Sequence, residues 1–390
     1  MNQFTKKLMI AGMCVCVTAS TLTGCGVKSD STVATVNGDK IPYGLLNFVV
    51  RYNQAQYEPF YTAYGAYFGL SSDVSVWEQS MDGETTLGEN MKNEVLESLE
   101  EMYLMEDHMA EYNVTITSEE REAMEKAADE FLASNDQATL DAMTADKDTV
   151  VRMLELDTIY VKMQAALYDS ADTEISDEEA AQRGITTAFF SIETSVDATP
   201  ADATDGDAQD EATPGEATPG DATDAAKEKA QKVLDELKKG KEFEEVLQKV
   251  DDTITATYTT YGEDDIELSE EIKAAADALT EEGQVAEELV EADDGYYVVQ
   301  LTTALDREAT DEKKEEMILD RQSEAFDTAI EGWKEGADIS VKTKVLAKID
   351  FKDSMSTVYT EEEEEMTPAD ATIADATDAD ASPAEAQTEE

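Results

Sequence analysis

The chain has 390 residues and a formal net charge of −62. That charge excludes nucleic acid as a partner, because phosphate contacts need a surplus of Lys and Arg to displace counterions. It equally excludes electrostatic adsorption to an anionic membrane surface. The apolar fraction of 41% suffices to fill cores, so two or three domains are expected rather than a wholly disordered chain.

The first residues have the layout of an export leader. Lys6 and Lys7 form a basic start, Leu8 to Ala19 an apolar run too short to span as a stable helix, and Leu22, Thr23, Gly24 and Cys25 follow. The segment LTGC resembles a bacterial lipobox. The resemblance implies cleavage of a signal peptide at 1–24 and lipidation of Cys25, followed by an anchor linker at 25–31. An ordinary signal peptide with an incidental Cys is the competing reading. Loss of Lys6 and Lys7 takes the charge from −62 to −64. Cys14 and Cys16 leave with the leader and Cys25 is consumed by lipid, so no disulfide, thiolate metal site or cofactor is expected. Two or more acyl chains hold firmly where one binds reversibly.

Residues 32–182 read as a mostly helical domain. Thr32 to Val36 is a strand, Asn37-Gly38 a turn, and a helix opens around Pro42. A helix over about 88–112 carries Met91, Val95, Leu99 and Met102 on one face. Thr117 with Glu120 and Ser176 with Glu179 have capping-box spacing, each ahead of a helix. Between them Met153, Leu156, Tyr160, Met163 and Leu167 line the inner face of a long helix. Seven of the chain's 27 aromatics (Tyr52, Tyr57, Phe60, Tyr61, Tyr64, Tyr67 and Phe68) crowd into 17 residues. Such rings can hold unfolded chains at small entropic cost, although helix packing or a homodimer seam explains them as well.

Two tracts built on Asp-Ala-Thr-Pro, at 197–223 and 361–390, hold almost no large apolar residue and cannot offset the entropy of folding. They are read as a disordered insert (196–224) and part of a disordered acidic tail (352–390). Their carboxylates lack EF-hand spacing, so diffuse counterion binding is expected rather than calcium sites.

The insert interrupts a small α+β unit at 183–305. A strand over 186–192 precedes it. A helix from about Asp224 to Lys239 follows, with Ala230, Val233, Leu234 and Leu237 inward and Gly240 as its C-terminal stop. Phe243, Val246 and Leu247 begin another helix, Thr253 to Tyr261 alternates as a strand, a helix lies near 269–279, and Tyr296 to Leu301 closes the unit as a strand.

Leu234, Leu237, Gly240 and Phe243, then Leu279, Gly283, Val285, Gly295, Tyr296, Val298 and Leu301, resemble the framework of the parvulin family of peptidyl-prolyl isomerases. The stretch from Val33 to Val50 resembles the opening of the chaperone domain of PrsA-type and SurA foldases, and 321–351 the segment that completes it. The resemblance implies an α+β chain in which 306–351 packs on the N-terminal domain. It further implies unfolded or newly secreted polypeptides as partners and an extracytoplasmic, lipid-anchored location.

The family's two active-site histidines would fall at Phe189 and Tyr297, whereas the single histidine of this chain is His108. A third family position falls at Asp252, with Asp251 as close, and the proline pocket at Leu268 and Ile272. The acidic insert occupies the loop that carries basic residues in phosphate-directed parvulins, which argues against phosphopeptide recognition. Three functions follow: a chaperone with weak or lost isomerase activity, an active isomerase rebuilt around Tyr297 and Asp252, or a structural surface lipoprotein.

Overall fold

A computed structural model describes residues 14–18, 27–81, 83–192 and 219–358. Cys25 and nearly all of both low-complexity tracts lie outside the described residues. The elements, in chain order, begin with β1 (Cys14–Thr18), β2 (Thr32–Val36), β3 (Asp39–Pro42), α1 (Tyr43–Tyr64), α2 (Leu87–His108), α3 (Ser118–Ser134), α4 (Gln137–Met143) and α5 (Lys147–Ser170). Next come β4 (Arg183–Ser191), α6 (Pro219–Leu237), α7 (Phe243–Val250), β5 (Thr257–Tyr261), α8 (Glu270–Asp277), β6 (Val290–Ala292) and β7 (Gly295–Thr303). The last are α9 (Arg307–Gly336), β8 (Ile339–Val341), α10 (Thr343–Leu346) and β9 (Ser354–Val358). The class is α+β, as expected.

The chain divides into two compact units, one made of Met1–Asp169 with Ala325–Glu390 and the other of Ser170–Glu324. The changeovers fall at 169/170 and 324/325, inside or at the end of long helices, whereas the sequence pattern places them at 182/183 and 305/306.

In the first unit β2 and β3 form a hairpin, and β8 joins the free edge of β2. The turn works because Asn37 and Gly38 both take positive φ, 52° and 98°, as a tight hairpin requires. Thr117 and Glu120 form the expected reciprocal capping box on α3. The core gathers Leu45, Phe48 and Val49 of α1, Leu99 and Met102 of α2, Met124 and Phe131 of α3 and Leu154 of α5. Phe48 meets Phe131 edge-on with centroids 5.7 Å apart, an arrangement worth about 0.5–1.5 kcal/mol beyond the buried area.

Several boundaries differ from expectation for local reasons. The helix expected to reach 112 stops at His108, and the turn after it ends at Asn113 with φ 56°. Ser176 accepts the Glu179 N–H at 3.1 Å, but only a turn follows and no helix. The helix expected from Asp224 begins at Pro219, because proline suits a first helical position. The tail expected from 352 contains β9, which pairs with β1.

In the second unit four antiparallel strands run in the order β5-β4-β7-β6. Successive side chains alternate between the two faces. Ala188, Phe190, Tyr296 and Val298 face α6 and α7, while Ile185, Val299 and Leu301 face α8. On α6, Ala226, Ala230, Val233, Leu234 and Leu237 make the apolar stripe that covers the first of these faces.

Candidate functional site

Two groups of residues repay attention, one in each unit. In the second unit the register of β4 and β7 sets Phe189 directly opposite Tyr297. Their ring centroids lie 4.7 Å apart and tilted by 31°. Tyr297 also pairs with Val290 of β6, and it packs on the same apolar cluster as Leu268, with Ile272 and Ala276 of α8 inside that cluster. Three predicted positions, Tyr297, Leu268 and Ile272, thus share one face of the sheet, and Phe189 contacts it through Tyr297. Burial, and then the negative charge of Asp294, push the Tyr297 phenol above its ordinary pKa. The hydroxyl is therefore held as a neutral donor.

Asp252 stands apart from this face. It is exposed on the loop between α7 and β5, and among the described residues no hydrogen bond ties it to Phe189 or Tyr297. Its neighbour Asp251 is committed elsewhere: Lys229 Nζ donates to it at 2.7 Å, and Thr253 donates through both its N–H and its hydroxyl. The Lys229 bond, with those from Thr253, draws the Asp251 carboxyl down to about 2. Asp251 is thus a brace between α6 and the loop, whereas Asp252 is exposed.

The closeness of the two strands at this end depends on Gly295. A Cβ there would meet the Phe190 carbonyl oxygen at 2.2 Å and Phe189 Cε2 at 2.8 Å. Glycine is required so that the β6–β7 turn can lie against β4.

An X-Pro bond turns over a barrier of roughly 18–20 kcal/mol. A site that lowers it needs an apolar seat for the ring and a polar donor or acceptor for the twisting amide. The face carries an apolar cluster and one phenol, and no imidazole. The only histidine, His108, is in the other unit, stacked on Trp333 at 4.4 Å with its Nδ1 2.8 Å from Glu111.

Sequence reasoning missed a polar network at the opposite end of β4, about 20 Å from Phe189 at 3.3 Å per residue. Arg183 donates to the Tyr261 hydroxyl at 2.8 Å and to the Leu279 carbonyl, and Tyr261 donates to Asp277 at 3.0 Å. Burial, and then the bond to Asp277, raise the Tyr261 phenol well above its ordinary value. The network borders a cavity of about 650 Å³ that also meets Lys273 and Glu316. Nothing in the local pattern near Arg183 signals it, because its partners are 78 to 96 positions away.

In the first unit the aromatic run divides. Tyr61 is half-buried against Trp77, with centroids 5.8 Å apart. Phe60, Tyr64 and Phe68 are about half exposed at 48%, 52% and 45%, and Tyr67 is 87% exposed. Phe60 touches Tyr64 at 5.3 Å and Phe68 at 6.1 Å, and Tyr64 touches Tyr67 at 6.4 Å, so the rings form one connected patch. Tyr57 is half exposed and borders a groove of about 350 Å³ lined by Val49, Met91, Val95, Met102 and Met153. These rings are therefore surface rather than core.

Among the described residues no group of acidic, histidine or cysteine side chains is arranged to hold a metal ion. No described helix is long and apolar enough to cross a membrane.

Residues 212–303 match the rotamase family, described as the PPIC-type PPIASE domain. Compared with curated protein sequences, the chain finds no match. Among solved structures it is similar to the foldase PrsA of Lactococcus lactis, at 13% identity, over 82% of this chain and 97% of that one, with a TM-score of 0.30. It is similar to the peptidylprolyl isomerase PrsA of Bacillus cereus at 15% identity, over 68% and 93%, with a TM-score of 0.28. A third similarity is to a structure from the work on PEB4 and Cj1289, two SurA-like chaperones of Campylobacter jejuni, at 9% identity, over 80% and 99%, with a TM-score of 0.25. Over residues 212–303, then, the chain carries a segment that matches the PPIC-type PPIASE domain of the rotamase family.

Proposed function

We propose that the protein is an extracytoplasmic foldase of the holding kind, anchored to a membrane through lipid on Cys25, which binds unfolded or newly secreted polypeptides and has little isomerase activity of its own. The observation that carries this reading is the exposed, connected patch of Phe60, Tyr64, Tyr67 and Phe68 beside the half-exposed Tyr57. Such a surface takes apolar segments of many sequences, because the rings are rigid and lose little entropy on contact. The rotamase-family domain adds an apolar face for proline-bearing segments, with Leu268 and Ile272 as its pocket. The place of the two imidazoles is taken by Phe189 and Tyr297, which pack on each other at a tilt instead. The negative charge keeps the protein soluble when loaded and favours basic clients.

The test is suppression of aggregation of a denatured client. A variant with Phe60→Ser, Tyr64→Ser and Tyr67→Ser should lose most of the protection while keeping its circular dichroism spectrum, since these rings are already exposed. Undiminished protection would move the function away from this patch. On a proline peptide, the purified protein should give only a small fraction of the rate of an active parvulin. A comparable rate that disappears in Tyr297→Phe would support the rebuilt site around Tyr297 and Asp252 in its place.

A further inference from the structure

The leader segment does not hang free of the fold. β1 pairs antiparallel with β9 in the register Cys14↔Val358, Cys16↔Ser356 and Thr18↔Ser354. Val15 is 2% exposed and belongs to the main core of the first unit, together with Met355. Its backbone N–H donates to Asn135 Oδ1 at 2.6 Å. Asn135 is aimed for that bond, because its own Nδ2 donates to the Phe131 carbonyl at 2.8 Å. β1 also packs against α1 and α4.

The strand beneath it is held independently of β1. The Met355 N–H donates to Glu58 Oε2 at 3.1 Å, and Gln54 Nε2 donates to the Asp353 carbonyl at 2.8 Å. The Met355 N–H of β9 and the Asp353 carbonyl just ahead of the strand are thus fastened to α1, while β9 forms its ladder with β1. A cut before Cys25 would free β1 from the chain, while the bonds to Glu58 and Gln54 and the buried Met355 side chain would still hold β9. What remains is a sheet edge five residues long, a socket that has just held a valine, and a side-chain acceptor set to receive a backbone N–H.

We propose that this seat is a binding site for one extended, apolar segment of a client polypeptide, and that the leader masks it until processing. The inference rests on the foldase reading and on cleavage before Cys25, and it adds a mode of recognition that the aromatic patch does not supply. Pairing with β9 reads the backbone of the client, so it tolerates many sequences, while the valine socket demands a small or β-branched apolar residue at one position. Proline is refused wherever the ladder needs an N–H. The leader fits because it is itself such a segment, and in the uncut chain it is present at the effective concentration of a tethered ligand. Cutting turns that tethered competitor into a free one, which dilutes away.

The test keeps the whole chain. A site-specific protease sequence inserted after residue 24 allows the leader to be cut from folded protein. The probe is a fluorescent peptide of residues 12–20 carrying Cys14→Ser and Cys16→Ser, followed by anisotropy. Cutting should tighten probe binding by at least about tenfold. A second peptide with Cys16→Pro should bind at least about tenfold more weakly than the first. Asn135→Leu in the protein should weaken the first peptide and leave client protection by the aromatic patch in place. Equal binding before and after cutting, or indifference to the proline, overturns the proposal without touching protein folding. A dimer that forms on cutting and excludes the probe overturns it in favour of pairing between two copies. Mass spectrometry of protein extracted from native membranes tests the processing step separately, since a terminus ahead of residue 14 sinks the leader reading and the unmasking with it, while leaving the foldase reading in place.

Discussion

Glu58 is the clasp that fixes the C-terminal strand to the first unit, and its removal has a calculable cost. Its Oε2 accepts from Gln54 Nε2 at 2.9 Å, from Trp77 Nε1 at 2.9 Å and from the Met355 N–H at 3.1 Å, while Oε1 accepts the Ser354 hydroxyl. Hydrogen bonds to a carboxylate contribute about 1.5–3 kcal/mol each, and a buried donor left without a partner costs about 1–3 kcal/mol. Ser354 is exposed and adds little, and Gln54 keeps its bond to Asp353. Trp77, only 3% exposed, has no such reserve. Glu58→Ala should therefore destabilise the first unit by about 3–5 kcal/mol. Glu58→Gln retains one oxygen where three of the donors converge and should cost only about 1–2 kcal/mol. Both tryptophans, Trp77 and Trp333, lie in the first unit, so their fluorescence reports its unfolding alone. With a urea dependence of about 2 kcal/mol per molar, the alanine midpoint should fall by about 1.5–2.5 M and the glutamine midpoint by less than about 1 M. Midpoints of both variants that stay within about 0.3 M of the parent would refute the clasp.

Two further outcomes concern the second unit. Gly295→Ala must push a methyl group against the Phe190 carbonyl oxygen, so it should cost about 2 kcal/mol or more. Amide exchange should show the β4–β7 pairing loosened at Ser191 first, and an unchanged exchange pattern would count against the close approach. Asp251 is depressed in the folded state to about 2 by its bonds from Lys229 and Thr253. A depressed carboxyl contributes stability above its unfolded pKa of about 3.9, and loses it as pH falls through the folded value. The gap in urea midpoint between the parent and Asp251→Asn should be full at about pH 6 and nearly closed at about pH 2. A gap that is independent of pH would show that the brace acts through packing alone.

The aromatic run shows where local pattern stops. Its spacing on a helix is the same whether the rings enter a core or face solvent, and only the placement of α1 decides that Tyr61 meets Trp77 while Phe60, Tyr64 and Tyr67 remain outside. That Phe189 and Tyr297 touch depends on a register joining positions 108 apart, which no local pattern carries. Asp251 and Asp252 are adjacent and chemically identical, and the structure separates them because Lys229, one helix away, reaches only the first. β9 lies in what composition marked as tail, since five residues of Ser, Met, Thr and Val look like nothing until α1 supplies Glu58 and Gln54 to hold them.

The amino-acid sequence by itself determined what depends on neighbours within about a helical turn: the Asn37-Gly38 hairpin, the Thr117–Glu120 box, the apolar stripes of α2 and α6, and the alternation in β7. It also determined the α+β class and the resemblance to a rotamase domain, because those rest on the order of such local signals. The tertiary structure alone decided which rings are exposed, which acid is a brace, and that β1 and β9 close on each other across more than 330 residues. The physical reason is that backbone pairing and burial are settled by distant partners. Their energies arise only when the chain has brought them within a few ångströms, and no short stretch encodes them.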